Sequence, residues 1–532
     1  LKETAKPKMA NSTELLINKR MDMKYLMAFD GMLVGIAAGL IAVFYRFVLN
    51  FSENNIVRVI SIAKGHPLYI VAWFVFLIIL AILVGQLVKY EGFISGSGIP
   101  QVEGELLGYF KQPWLRVLVA KLVGGALGIL GGLSLGREGP SVQLGAMSGK
   151  GVTRLLKRNQ LEERYLLTCG ASAGLAAAFN APIAGVLFAL EEVHKNFSAT
   201  VLFSATTASV AAVMVSGFIQ GTDPVLSLVV SQALPLKYYW LLPFLGLIIG
   251  ILGAFYNWFL AKSQDLYEKA TWLKAEYRPI IPFLMSGFLG FTFPEVLGGG
   301  HFMMVTLIKD KPGLAIIALL FVIKMIFSMT SFASGAPGGI FFPLLILGAY
   351  IGGAFGNAVV LMFGFDPDLI NNFIVLAMAG YFTAIIRAPL TGIVLICEMT
   401  GSFDHLLSLA LVCICAEITA EFLNSEPVYE MLLERWIKKR GTRDPEMSAA
   451  KILINVPAQL GSKVDGALVK DIDWPDYCLL VALRRGGTEI IPHGNTMIMP
   501  TDVIVALVSE ANQFYIQDEL QSLCSENQER YR

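Results

Sequence analysis

A polytopic α-helical membrane protein of broken and re-entrant helices, followed by a small soluble α/β domain, is the fold class this sequence predicts. Three observations carry that prediction. The 532 residues are 55% hydrophobic and only 15% charged, with a mean hydropathy of +0.63, whereas soluble domains carry about 25% charged residues. The chain has uncharged blocks from Leu68 to Val88 and from Tyr238 to Ala261, each long enough as a helix to span the ~30 Å hydrocarbon core. Elsewhere the apolar segments are short and interrupted by glycine, and the chain holds 51 glycines. Segments too short to cross are tolerated at membrane depth only when buried in protein.

In chain order, residues 12–25 read as a short amphipathic helix within an N-terminal segment 1–24. Spans follow near 27–50 and 68–90. From about 95 to 220 the segments shorten, a long span near 237–263 restarts the pattern, and short segments resume to 436. The membrane region is therefore 25–436, in two halves of about 25–220 and 237–436. A linker, 437–449, leads to a domain over 450–525 and a polar tail, 526–532. Lys19, Arg20 and Lys24 precede the first span and Arg435, Lys438, Lys439, Arg440 and Arg443 follow the last. The positive-inside rule then places both termini in the cytoplasm.

The two halves repeat. Gly136-x-x-x-Pro140-x-x-x-Leu144-Gly145-Ala146 matches Gly339-x-x-x-Pro343-x-x-x-Leu347-Gly348-Ala349, and Ala181-Pro182-Ile183-Ala184-Gly185-Val186 is echoed by Ala388-Pro389-Leu390-Thr391-Gly392-Ile393. Glu191 and Glu398 stand equally far beyond the second motif. Two ordered pairs point to duplication, although a repeat alone leaves the relative orientation of the halves open. An inverted arrangement would bring half-helix starts together at the bilayer midplane.

Residues Gly136-Arg137-Glu138-Gly139-Pro140 place a carboxylate and a guanidinium inside an apolar stretch. A charge at membrane depth costs about 2.5–3.5 kcal/mol on insertion scales, so one that is retained is a functional candidate. Glycine permits close backbone approach and proline suits a first helical turn, whose free N–H groups attract anions. Two further segments share this character, Gly96-Ser97-Gly98-Ile99-Pro100 and Gly335-Ala336-Pro337-Gly338-Gly339-Ile340-Phe341-Phe342-Pro343. Ser97 adds a neutral hydroxyl donor, suited to an ion that must also leave.

Together these segments resemble the CLC chloride channel and transporter family, of the prokaryotic chloride/proton antiporter type. Phe179-Asn180-Ala181-Pro182 and Tyr429 add to the match, which covers about residues 25 to 436. The resemblance implies a homodimer with one pore per subunit and an inverted repeat of broken helices around anion sites. Carried over by position, Ser97 and Tyr429 would bind a central chloride through their hydroxyls. Backbone amides of Gly136, Arg137, Gly139, Ile340 and Phe341 would line outer sites, and Glu138 would be the external gate. Its anion is favoured by helix-start amides and disfavoured by desolvation and by nearby chloride, which links protonation to chloride occupancy. Glu192 would be the internal proton-transfer residue, Glu103 a buried supporting glutamate, and Glu398 a structural counterpart of Glu191. Serine at position 97 implies chloride rather than nitrate or fluoride.

The alternative is a passive chloride channel. The acid at Glu192 favours the exchanger, because passive channels in the family usually carry another residue there. A potassium pathway would need a TVGYG-like filter, and none is present. HExxH and P-loop patterns are absent, so an enzyme is not expected. Zero net charge suggests no nucleic acid partner. Neither a cofactor nor a metal is expected, since the six cysteines and five histidines show no ligand spacing. The expected setting is a bacterial cell membrane, with lipid as its surround.

Residues 450–525 alternate hydrophobic runs, Leu479–Leu483 and Val503–Leu507, with turns at Gly486-Gly487 and His493-Gly494-Asn495. With Arg484, Arg485 and Asp502, this region resembles the C-terminal module of potassium-conductance regulators. Such modules often dimerise and sometimes bind small nucleotides. A dimer-stabilising appendage is the equal alternative, with Arg484 and Arg485 as solvated turn charges.

Overall fold

Seventeen helices precede a small four-stranded sheet and a final helix in the computed structural model, among the residues it describes: 12–195, 198–222, 224, 226, 233–440, 451–476, 478–486, 488–509 and 513–525. Residues 1–11, most of the expected linker and the tail 526–532 lie outside the described residues.

The first half comprises α1 (Ser12–Ala63), α2 (Pro67–Tyr90), α3 (Ile99–Leu106), α4 (Trp114–Leu130), α5 (Glu138–Leu155), α6 (Gln160–Phe179), α7 (Pro182–Phe188) and α8 (Ala199–Gln220). The second comprises α9 (Leu242–Lys269), α10 (Ile280–Thr292), α11 (His301–Lys309), α12 (Leu314–Ala333), α13 (Phe341–Phe363), α14 (Leu369–Ile386), α15 (Pro389–Thr400) and α16 (Leu406–Phe422), with α17 (Val428–Arg440) after it. The two series correspond helix for helix. Packing follows the same correspondence: α1 lies on α8 as α9 lies on α16, and α5 lies on α6 as α13 lies on α14. One expectation is corrected. Residues 12–25 are not a separate amphipathic helix but the first turns of the 52-residue α1.

Seven helices among the described residues are long and apolar enough to cross a membrane. Others are far too short: α3 has 8 residues, α7 has 7 and α11 has 9, against about 20 needed for a span. Proline marks the first turn of five helices of the two halves that start at the motifs or their repeats, at Pro100 in α3, Pro140 in α5, Pro182 in α7, Pro343 in α13 and Pro389 in α15. A first-turn N–H has no helical partner, so proline there sacrifices no bond. Asn180 and Arg387 end α6 and α14 at the same repeat position, both left-handed at φ 57° and 71°.

The orientation of the halves is visible where equivalent loops meet. Gly136 N–H donates to the Gly339 carbonyl at 2.6 Å, and Gly339 N–H donates to the Gly136 carbonyl at 2.8 Å. Repeat-equivalent residues that pair antiparallel with each other require a local two-fold axis between them. The two halves of broken helices are thus related by a pseudo-two-fold axis, the relation an inverted repeat requires. Ile340, Phe341, Leu344, Tyr381 and Phe382 belong to its buried centre.

The C-terminal unit is described by itself. Its sheet runs β1-β4-β2-β3, with β1 Lys451–Pro457, β2 Cys478–Arg485, β3 Thr488–Ile490 and β4 Val503–Ser509, all pairs antiparallel. Helix α18, Gln513–Cys524, supplies Ile516 and Leu520 to a core with Ile454, Val456, Leu483, Ile504 and Val508. Both hydrophobic runs expected as strands lie inside β2 and β4. Arg485 is not a solvated turn charge. Its Nε donates to Asp502 Oδ1 at 2.8 Å and its Nη2 to Oδ2 at 2.7 Å, and the Asp502 side chain is fully buried. Arg484 does behave as expected, in an exposed pair with Glu489.

Candidate functional site

Three loops hold the helix starts together. Beside the Gly136–Gly339 pair, Gly338 N–H donates to the Gly96 carbonyl at 3.0 Å. The starts of α3, α5 and α13 are therefore locked to one another through main chain. A Cβ on Gly139 would collide with Ser97 Oγ, so only glycine lets the α5 start approach the serine this closely. Phe341 is fixed by rings of Phe179, Phe188 and Phe382 at centroid distances of 5.2, 5.9 and 4.7 Å.

Two buried lysines support these loops. Lys121 Nζ donates to the carbonyls of Ile94 and Gly96 at 2.9 and 2.6 Å. Lys324 Nζ donates to those of Val296 and Gly298, both at 2.8 Å. The two stand at equivalent positions on α4 and α12, so α11 is the structural mate of α3. The loop before α11, Gly298-Gly299-Gly300, lacks the serine and proline that make the α3 start recognisable, and the sequence reading missed it.

Every polar group expected in the anion path is buried. Relative exposure is 2% for Ser97, 1% for Glu138, 4% for Glu192 and zero for Tyr429. Among the described residues, Ser97 Oγ, Tyr429 Oη, both Glu138 oxygens and Glu192 Oε1 accept or donate no hydrogen bond within the chain. Buried polar groups are nearly always paired, so this concentration of unpaired ones on several different elements defines a polar binding region. Tyr429 has Glu192 and Glu138 as electrostatic neighbours, and the Ser97 side chain lies near its hydroxyl without a hydrogen bond of good geometry between them. Arg137 Nε lies 3.6 Å from Glu138 Oε1 while its Nη1 reaches Asn50 Oδ1 at 3.4 Å, so the guanidinium neighbours the carboxylate without hydrogen-bonding it.

The two acids open to separate cavities. Glu138 lines one of about 330 Å³ together with Arg46, Glu53, Arg137 and His301. Glu192 lines one of about 280 Å³ together with Glu191, Lys195, Arg387 and Glu430. Residues Ala189–Val193 form a π-helical turn, with His194 N–H donating to the Ala189 carbonyl at 2.7 Å. Such wide turns recur at functional positions, and no local sequence signal announces this one.

The turn gives the adjacent acids different partners. Glu191 accepts from the N–H groups of Leu390 and Thr391 at 3.2 and 2.9 Å, and from Thr391 Oγ1 at 2.7 Å. It caps the start of α15. Glu398 accepts from the N–H groups of Ile183 and Ala184 at 3.1 and 2.8 Å and caps the start of α7. Each half thus satisfies the orphan donors of the other. Glu103 is buried and paired with Lys195 at 2.7 Å.

Fold and site together define a membrane protein in which broken helices of two inverted halves direct their amino ends at a buried polar region. Residues 80–421 match the family described as voltage gated chloride channel, and the chain belongs to that family, the CLC family. Residues 453–515 match the TrkA-C domain. The chain is 33% identical over 423 residues to the H(+)/Cl(-) exchange transporter ClcA of Klebsiella pneumoniae, covering 77% of this chain and 89% of that protein. It is 33% identical over 431 residues to the transporter of the same name from Vibrio cholerae, covering 79% and 91%. Among solved structures, a slow cyanobacterial Cl-/H+ antiporter superposes with a TM-score of 0.74 at 29% identity, over 78% of this chain and 99% of that one. A eukaryotic CLC transporter superposes at 0.65 with 23% identity, over 77% and 74%, which bears on the fold alone.

Proposed function

We propose that this protein is a secondary active antiporter that exchanges chloride for protons, with Glu138 as its external gate and Glu192 as its internal proton-transfer residue. The observation that carries the reading is the pair of buried carboxylates, each on its own cavity, with the Ser97 and Tyr429 hydroxyls among their neighbours. The similar proteins named as H(+)/Cl(-) exchangers support it.

Chloride would be held by neutral donors: the hydroxyls of Ser97 and Tyr429, and the helix-start amides of Gly136, Arg137, Gly139, Ile340 and Phe341. Neutral donors bind an anion without trapping it. Ionised, Glu138 competes with chloride for the amides; protonated, it loses that attraction and vacates the site. Glu192 would load and unload the proton on the side of the smaller cavity. One proton path and one anion path that share Glu138 give coupling, since each ligand changes the state available to the other.

The protein would act in a bacterial cell membrane as a homodimer in lipid, both termini cytoplasmic, and not as an enzyme. The TrkA-C domain would be its regulatory module, with a small nucleotide as candidate ligand; thermal shift with a nucleotide panel tests that point. The decisive experiment is flux from liposomes under an imposed chloride gradient, read with a pH probe. Uphill proton movement is expected. Glu138→Gln and Glu192→Gln should each abolish it while chloride still passes. Chloride flux with no proton movement in the unaltered protein would instead identify a passive channel.

A further inference from the structure

Lys195 holds two carboxylates from two different helices. Its Nζ is 2.7 Å from Glu103 Oε1 on α3 and 2.5 Å from Glu430 Oε1 on α17. Each partner is tied to a residue of the anion path. Glu430 follows Tyr429 directly, and Glu103 sits on the short, wholly buried helix that Ser97 and Gly98 introduce. Lys195 itself follows the π-helical turn that carries Glu192, in a left-handed conformation at φ 52° that non-glycine residues seldom adopt. Lys195, Glu430 and Glu192 all line the cavity of about 280 Å³, and Glu192 is an electrostatic neighbour of the ammonium.

We propose that Lys195 is a positioning residue for coupled exchange, a latch that ties α17 and Tyr429 to α3 and Ser97 and that competes with the charge on Glu192. The inference rests on the exchanger reading. The charged groups around the ammonium are Glu103 on α3, Glu430 on α17, Glu191 and Glu192 on the π-helical turn, and Arg387 at the end of α14. Neutral Glu192 leaves Lys195 to Glu103 and Glu430, the arrangement observed, in which Glu192 Oε1 has no partner within the described chain. Ionised Glu192 offers the ammonium a third carboxylate and draws it from the other two. Proton release at Glu192 therefore loosens the tie that holds α17, with Tyr429, to α3, beside Ser97, and proton uptake restores it. By linkage, a latch that responds to the proton makes passage of the anion respond to it too.

The test uses the full chain in liposomes, with chloride and proton flux recorded together. Glu430→Gln removes the tie to α17 and leaves the Lys195–Glu103 pair intact. It should lower protons moved per chloride at least threefold while chloride turnover is kept. The double variant Lys195→Met, Glu103→Gln removes both charges without stranding a buried carboxylate and should show the same loss. Lys195→Arg should retain coupling. A role in folding alone would lower both fluxes together. Unchanged coupling in Glu430→Gln and in the double variant would overturn the latch. Absence of proton movement in the unaltered protein would sink the exchanger reading, and the latch with it; coupling lost in Glu192→Gln but kept in both latch variants would sink the latch alone.

Discussion

Gly136 and Gly339 donate to and accept from each other, N–H to carbonyl, at 2.6 and 2.8 Å. They are the same residue in two copies of one motif. Their pairing places the pseudo-two-fold axis of the fold inside the candidate anion site, so that α5 and α13 begin on either side of it. One copy carries Arg137-Glu138 where the other carries Ile340-Phe341. The frame is symmetric and the gate is not, which lets one half supply a movable carboxylate while the other supplies fixed amides and an aromatic clamp.

Gly139→Ala should damage this geometry without unfolding the protein. The new methyl would meet Ser97 Oγ and lie near the Gly339 Cα, so the serine must leave its position. Loss of one hydrogen bond to a charged ligand is worth about 1.5–3 kcal/mol. Calorimetric titration should therefore show chloride affinity lowered by at least about tenfold, with detergent-solubilised helicity unchanged. Wild-type affinity in the variant would remove Ser97 from the anion site.

Ser97→Ala and Tyr429→Phe should move affinity and stability in opposite directions. Both hydroxyls are buried and unpaired within the described chain, and an unpaired buried hydroxyl costs about 1–3 kcal/mol. Removing either should raise the melting temperature in chloride-free buffer and lower chloride affinity tenfold or more. The double variant should lose less than the sum if both contact one ion. A fall in chloride-free stability would point to structural hydroxyls instead.

Much of this arrangement is legible from residue types. Glycine and proline at helix starts, Glu138 in an apolar stretch and the twin Ala-Pro motifs are local patterns, and each lies where its pattern implies. What is not legible is pairing at a distance. Nothing local indicates that Lys195 meets Glu430 rather than water, that Lys121 and Lys324 bury their ammonium groups against loop carbonyls, or that Glu191 caps a helix of the other half. The Lys195 and Glu191 contacts depend on helices brought together from opposite halves of the chain, and the Lys121 and Lys324 contacts on a helix folding back against a loop more than 20 residues earlier. The π-helical turn at Ala189–Val193 also escapes pattern, because it closes the seven-residue α7 and no helix follows directly on which the roughly 100° shift of hydrophobic period would show. Arg485 is ambiguous in sequence for a related reason: its partner Asp502 stands 17 residues on, just before the paired strand β4.

The crossed caps of Glu191 and Glu398 should contribute to stability by different routes. Glu398 serves only the start of α7, so Glu398→Ala should cost about 0.5–2 kcal/mol, the usual range for a lost cap, and leave the proton-to-chloride ratio unchanged. Glu191 also lines the cavity that holds Glu192. Glu191→Ala should cost a similar amount and in addition slow proton movement. Thermal unfolding in detergent and paired flux recordings separate the two outcomes. Equal transport defects in both variants would mean that the caps act only by holding the halves together.

The pair Arg485–Asp502 makes the C-terminal unit sensitive to acid. The guanidinium hydrogen bonds hold the Asp502 carboxyl below its ordinary value of 3.8, against the opposing effect of burial, and the Met499 N–H adds to the lowering. A carboxyl lowered in the folded state contributes stability above its unfolded pKa. That contribution disappears as pH falls below 3.8 and through the folded value. Native-state hydrogen exchange on the full chain should therefore show amides of β2 and β4 losing protection on acidification through this window, and Arg485→Met should flatten the dependence contributed by Asp502. At neutral pH the same substitution strands a buried carboxylate. Its cost should be about 2–3 kcal/mol, below the range for a fully buried pair because Arg485 is 37% exposed. Asp502→Asn, which keeps shape and removes the charge, should recover part of that loss in the Arg485→Met background. A double variant no more stable than Arg485→Met would show that the charge on Asp502 is not what the arginine compensates.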